Sequence, residues 1–223
     1  MPADTSRSQS APRAYRSELR AQQAQQTRRR IVEASARLFA SQGYQATTLS
    51  AIAREARVST ETVKTAASKA ELLLAAFEVV FSGTESAESL TDTEVGAGIM
   101  PMPDDAFLDA VLRQIAIANA RGHALWTVVL GAAASDPVVD AALQRILGNR
   151  AADYRALVDE LVRRGYADAV ADPEATAAAL SFLLSPEGYQ QLVVQSGWTA
   201  GRYTAWLREA VLAELSRSGA PRE

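Results

Sequence analysis

The chain has 223 residues, 48% of them hydrophobic and 22% charged, and no cysteine. That length allows one helical core of good size, or a small N-terminal domain and a larger C-terminal one. The lack of cysteine excludes a disulfide framework, a thiol nucleophile and a Cys-based zinc site. The net charge of −3 conceals an asymmetry: residues 1–75 carry 12 Lys and Arg against 6 Asp and Glu, and residues 76–223 carry 11 against 20. A basic front half and an acidic back half suit a phosphate-facing module joined to a body that has no reason to touch phosphate.

Residues 1–25 combine Pro2, Pro12, several Ser and Gln, and Arg7, Arg13, Arg16 and Arg20, with few apolar side chains. They are expected to form a basic flexible arm, disordered to about Ser17. From Thr27 the spacing turns helical: Ile31, Ala34, Ser35, Leu38 and Phe39 share one face, and Gly43 supplies a C-terminal stop. Thr47 and Thr48 offer caps for a second run with Leu49, Ile52, Ala53 and Ala56 on one side. Arg57-Val58 make the turn. Ser59 caps a third helix, Thr60 to about Ala66, with Val63 inward, and Ser68 and Glu71 form a capping box for a fourth.

Residues 84–103 shift to Gly, Ser, Thr, Glu and Pro and predict a loop. The expected organisation is therefore an arm over 1–25, a helix-turn-helix module over 26–83, a loop over 84–103 and a helical body over 104–223. In that body Asp136-Pro137, Asp172-Pro173 and Ser185-Pro186 each pair an N-cap with proline at the first helical position. Trp198 and Tyr203 flank a Thr199 cap at the spacing of a hydrophobic staple. No period-2 alternation occurs, so the fold class is all-α: an N-terminal helix-turn-helix domain and a larger C-terminal helical domain.

Leu38-Phe39, Gly43, Thr47-Thr48, Ile52-Ala53, Val58-Ser59, Thr62-Val63 and Ser68-Lys69 with Leu72-Leu73 resemble the DNA-binding domain of TetR-family transcriptional regulators. The resemblance covers residues 27–81. It implies a homodimer whose third helices enter successive major grooves of an inverted-repeat operator. The residues agree in part: Ser59, Thr60, Glu61, Thr62, Lys64 and Thr65 are short or polar groups able to meet base edges and phosphates. Thr47, Thr48 and Lys69 stand at helix starts, which favour phosphate. One departure follows Val63, where the family usually shows a Tyr that meets the DNA backbone and a Phe that packs the helix. Here Lys64-Thr65-Ala66-Ala67 is one residue shorter and has neither aromatic. This leaves two readings open, a ligand-responsive repressor and a dimeric ligand-binding or antirepressor protein of the same fold with weakened or lost operator binding.

The body also resembles one subgroup of the family, through Leu180 to Tyr189, Gly197-Trp198 and Tyr203 to Leu207. The resemblance implies a four-helix dimer interface, for which Leu180, Leu183, Leu184, Trp206, Ala210 and Val211 are candidates. It also implies a small-molecule effector inside the body, with Phe107, Ile115, His123, Trp126, Val129, Tyr154 and Phe182 as candidate lining. His123, the single histidine, is expected at the surface or a helix end. Asp104, Asp105 and Asp109 read as a helix start helped by the dipole, and no metal site or cofactor is expected.

Neither a Gly-rich phosphate loop nor a nucleophile elbow is present, and one histidine offers little acid–base chemistry, so an enzyme is not expected. There is no signal-peptide core and no run near the ~18 apolar residues of a membrane span. The arm lacks the apolar face that would hold it on a bilayer. The partners expected are an operator, a second copy of the chain and an effector, in the cytoplasm.

Overall fold

Ala, Arg and Gln are the commonest residues between Ala11 and Ala40, and they are strong helix formers. In the computed structural model, which describes residues 11–83 and 94–219, they form a long helix, α1 (Ala11–Ala46), that is kinked at Gly43. The arm expected to be flexible is thus helical from Ala11, because local propensity carries the helix back beyond its packed face. Leu19 to Gln26 are all exposed. Residues 1–10, including Arg7, lie outside the described residues. Gly43 breaks the helix with φ 77°, a conformation that side-chain-bearing residues rarely adopt.

Helix α2 (Leu49–Ala56) starts where the Thr48 hydroxyl accepts the Ala51 N–H at 3.1 Å, and ends at Arg57 in the left-handed region, φ 56°. Helix α3 (Thr60–Ala66) is capped by Ser59, whose hydroxyl accepts the Thr62 N–H at 3.0 Å. Helix α4 (Lys69–Ser82) opens with the expected reciprocal box: Ser68 takes the Glu71 N–H, and the Glu71 carboxylate takes the Ser68 N–H at 2.7 Å. That bond holds the Glu71 carboxyl below its usual range.

The predicted loop contains a short helix, α5 (Glu94–Ile99), while its residues 84–93 lie outside the described residues. The body is built from α6 (Asp104–Ala133), α7 (Pro137–Arg163), α8 (Pro173–Leu183), α9 (Pro186–Tyr189) and α10 (Ala200–Ser218), with a π-helical turn over Gln190–Gln195. Asp136, Asp172, Ser185 and Thr199 all cap as expected. The Trp198–Tyr203 staple takes a different partner. Trp198 meets Trp206 edge-on at 6.2 Å, and Arg202 lies over the Trp198 ring at 4.0 Å. No strand occurs among the described residues.

Two hydrophobic clusters form. The first joins Ile31, Phe39, Ile52, Val63, Leu72, Leu73 and Phe77 of the first four helices to Leu125, Trp126 and Val129 of α6 and Val139 and Leu143 of α7. The second unites Phe107, Leu112, Tyr154, Leu161, Leu180, Tyr203, Leu207 and Val211 within the body. Helix α6, about 45 Å long at 1.5 Å per residue, supplies side chains to both. Its Gly122 permits close approach of α4, since a Cβ there would lie 2.8 Å from the Phe81 ring.

Candidate nucleic-acid interface and adjoining cavity

Helix α3 is held by one fully buried side chain, Val63, with Ala66 and Ala67 half-buried against the same cluster. The Arg28 guanidinium of α1 also reaches the Ala66 carbonyl at 3.4 Å. With its inner face seated, α3 exposes Glu61, Thr62, Lys64 and Thr65, while Thr60 is half-buried. Lys64 and Thr65 make no side-chain hydrogen bond or ion pair with another described residue. Ser59 and Thr62 share their hydroxyls at 2.8 Å, so Ser59 shapes the helix start more than it offers a free group.

One residue expected at the phosphate face is positioned otherwise, and a second makes contacts within the head. Thr47 is fully buried, and its hydroxyl donates to the Gly43 carbonyl at 2.8 Å. It seals the turn between α1 and α2, since the buried hydroxyl needs a local acceptor. Lys69 is half-buried, with its ammonium 4.5 Å from the centre of the Tyr44 ring and donating to the Gln45 carbonyl at 3.4 Å. Thr48 remains exposed, but its hydroxyl is already the α2 cap. Arg30, which donates to the Arg57 carbonyl at 3.3 Å, steadies the turn between α2 and α3.

Tyr44 and Lys69 belong to a polar junction between head and body. The Tyr44 hydroxyl donates to the Asp136 carboxylate at 2.6 Å, and Gln45 reaches the Ser135 hydroxyl at 3.3 Å. Asp136 also caps α7, accepting from the Val138 and Val139 N–H groups. The Tyr44 bond, more than those N–H groups or Lys69, holds the Asp136 carboxyl below its usual range. Burial and Asp136 push the Tyr44 hydroxyl well up, and burial lowers the Lys69 ammonium. In the sequence Asp136 was legible only as a cap.

Tyr44→Phe is expected to cost about 1 kcal/mol, the usual worth of one such hydrogen bond. A carboxyl with a depressed folded pKa contributes stability above its unfolded pKa of roughly 4 and loses it as pH falls through the folded value. The difference between wild type and Tyr44→Phe in urea unfolding should therefore shrink as the pH drops below about 4.

Behind the head, α4, α5, α6 and α7 and the end of α8 enclose a cavity of about 470 Å³. Phe107, Ile115, Trp126 and Tyr154 are among its lining residues, with Phe77, Phe81, Ile99, Met100 and Leu157. Its polar groups include Arg150, Gln114, Asn149, Glu78, Asp153 and Glu160. Burial pushes the Tyr154 hydroxyl up to about 12.

Three candidate lining residues are elsewhere. Val129 is fully buried in the head cluster. His123, half-buried in the middle of α6 and not at a surface or helix end, shares a 2.7 Å hydrogen bond with Gln190. Phe182 projects from α8 with 76% of its surface exposed.

Among the residues expected at a dimer interface, Leu180, Leu184 and Val211 are buried inside the chain's own core. Leu183, Trp206 and Ala210 are half-buried. An apolar helical face alone does not say which neighbour covers it, and here α8 and α10 cover each other. Asp104 and Asp109 pair with Arg164 and Arg208, each at 2.9 Å. Among the described residues no group of carboxylates or histidines could hold a metal ion, and no helix is long and apolar enough to cross a membrane.

Residues 31–76 match the family model of bacterial regulatory proteins of the tetR family. The fold is similar to that of a protein from Pseudomonas aeruginosa PAO1 described as a transcriptional regulator, with a TM-score of 0.68, 18% identity, and coverage of 88% of this chain and 95% of that one. It is also similar to a protein from Rhodococcus sp. described as a TetR-family transcriptional regulator, with a TM-score of 0.59, 15% identity, and coverage of 85% and 99%. No curated protein matches the chain.

Proposed function

We propose that this chain is a DNA-binding transcriptional regulator of the TetR family, whose model its residues 31–76 match, and that it is a ligand-responsive repressor that binds an inverted-repeat operator as a homodimer in the cytoplasm. The proposed role is regulatory and involves no catalysis. The observation that carries the proposal is the seating of α3. Val63, Ala66 and Ala67 fill its inner face, and Glu61, Thr62, Lys64 and Thr65 project outward, so a rigid polar face remains available to a major groove. The alternative of lost operator binding draws on the absent aromatics. Against it stands the α1-to-α3 bond from Arg28, which supports α3 without them.

The domain limits we propose are 26–83 for the reading head and 104–223 for the body. Effector responsiveness is supported by the cavity and by the junction through Tyr44 and Asp136, because α7 begins at that junction and also supplies Arg150 and Tyr154 to the cavity wall. Phe107, Ile115, Trp126 and Tyr154 are the proposed effector contacts.

Gel shifts of the chain's own upstream region at low ionic strength test the reading. A salt-sensitive, sequence-dependent shift is expected, and its absence in the purified protein would favour the antirepressor alternative. For the dimer, exposed Phe182 together with Leu183, Trp206 and Ala210 is the proposed interface. Burying an aspartate in such an interface costs several kcal/mol. Phe182→Asp should therefore elute as a monomer by light scattering, with unchanged helical circular dichroism.

A further inference from the structure

We infer that the body cavity takes an apolar monoanion, a molecule with an aromatic or aliphatic body and one carboxylate that pairs with Arg150. This rests on the reading of the cavity as an effector site and names the chemistry of what enters it. Arg150 is the cation in the wall, and its guanidinium carbon lies 6.0 Å from the centre of the Trp126 ring and 5.7 Å from that of Tyr154. It donates to the Ser181 carbonyl, but no carboxylate among the described residues is at salt-bridge distance from it. The nearby acids are engaged: Glu78 with Arg145, Glu160 with Arg163 and Arg164, and Asp153 in contacts of its own. A second group points the same way. Trp126, 3% exposed, keeps its indole N–H without a hydrogen-bond partner among the described residues.

Taking a charge or an N–H out of water is costly unless an opposite charge or an acceptor meets it. A ligand carboxylate answers both needs: it is planar, matches the guanidinium fork, and accepts from a neighbouring N–H. The aromatic walls then cover the ligand's apolar body. A cationic ligand would place like charge beside Arg150. A neutral one would leave the Arg150 charge without a counter-ion.

The test is isothermal titration of the full-length protein with naphthylacetate and decanoate, against the neutral naphthylacetamide and decanol and the cationic naphthylethylamine. At least one acid is expected to bind about tenfold more tightly than its neutral counterpart, the effect of one charge-assisted contact. Arg150→Gln should erase that preference, and Trp126→Phe, which keeps the ring but loses the N–H, should reduce it severalfold. The inference is overturned if the neutral or cationic compounds bind as well as the acids, if none of the five binds, or if the preference survives in Arg150→Gln. An acid that binds through Arg150 without altering DNA affinity would uphold the ligand class and remove the effector reading.

Discussion

Lys64→Glu is expected to weaken operator binding about a hundredfold at low salt and to flatten the dependence of affinity on salt by about two counterions. Each of two protomers loses one phosphate contact, and the slope falls by roughly 0.9 per contact. Lys64 is suited to that contact because it is exposed on the last turn of α3 and engages no other described residue. The substitution lies on the surface of the head, so its melting temperature should hold. Fluorescence anisotropy over a salt series gives both quantities. An unchanged slope would mean that Lys64 does not meet the backbone and that α3 docks in another register. Thr62→Ala should change sequence preference more than salt dependence, since a hydroxyl reads bases or positions water without releasing a counterion.

The second large effect is expected at the end of α7. The Arg164 side chain is only 3% exposed and ties the end of α7 to the segment before α6. It donates to the carbonyls of Met100 and Met102 at 2.7 and 2.8 Å, to Asp104 at 2.9 Å and to Glu160 at 2.5 Å, and it lies 3.9 Å from the centre of the Phe107 ring. Arg164→Ala therefore removes a buried charge together with every bond it makes. A loss of about 3 kcal/mol in urea unfolding is expected, the low end for breaking a buried pair, because Glu160 keeps Arg163.

The same variant should speed amide exchange over residues 99–103, as the two anchored carbonyls lose their donor. Bonds from Arg163 first and then Arg164 depress the Glu160 carboxyl to about 2. The wild type should thus retain this contribution above the unfolded carboxyl value of roughly 4 and lose it as the pH falls toward that folded value. Arg164→Ala should show a smaller loss over the same range.

Local signals in the sequence were enough to lay out the head. Ser59, Ser68 and Glu71, Gly43 and the apolar spacing of α1 act through neighbours three or four residues away, and each appears in the structure as its chemistry dictates. The caps of α7, α8, α9 and α10 were legible for the same reason. Side chains whose roles depend on distant partners were not. The sequence places Lys69 at a helix start but does not show that Tyr44 and Asp136 stand beside it. Thr47 reads as a cap until it turns inward to Gly43.

In the body the ambiguity was larger, because an amphipathic helix declares that one face is covered and leaves the covering element unnamed. Leu180 and Val211 suited an interface as well as a core, and they are core. Phe182 suited a pocket, and it faces solvent.

By itself, then, the sequence determined the all-helical class, the starts of the second, third and fourth helices, the polar face of α3 and the basic-to-acidic division of charge. These follow from short-range hydrogen bonding, helical periodicity and composition. The tertiary structure alone decided that α6 serves both clusters, that Tyr44 ties the head to the start of α7, and that Arg150 stands near Trp126 and Tyr154 with no carboxylate among the described residues at salt-bridge distance. Those facts depend on side chains far apart in sequence, and only the packed chain sets the distances between them.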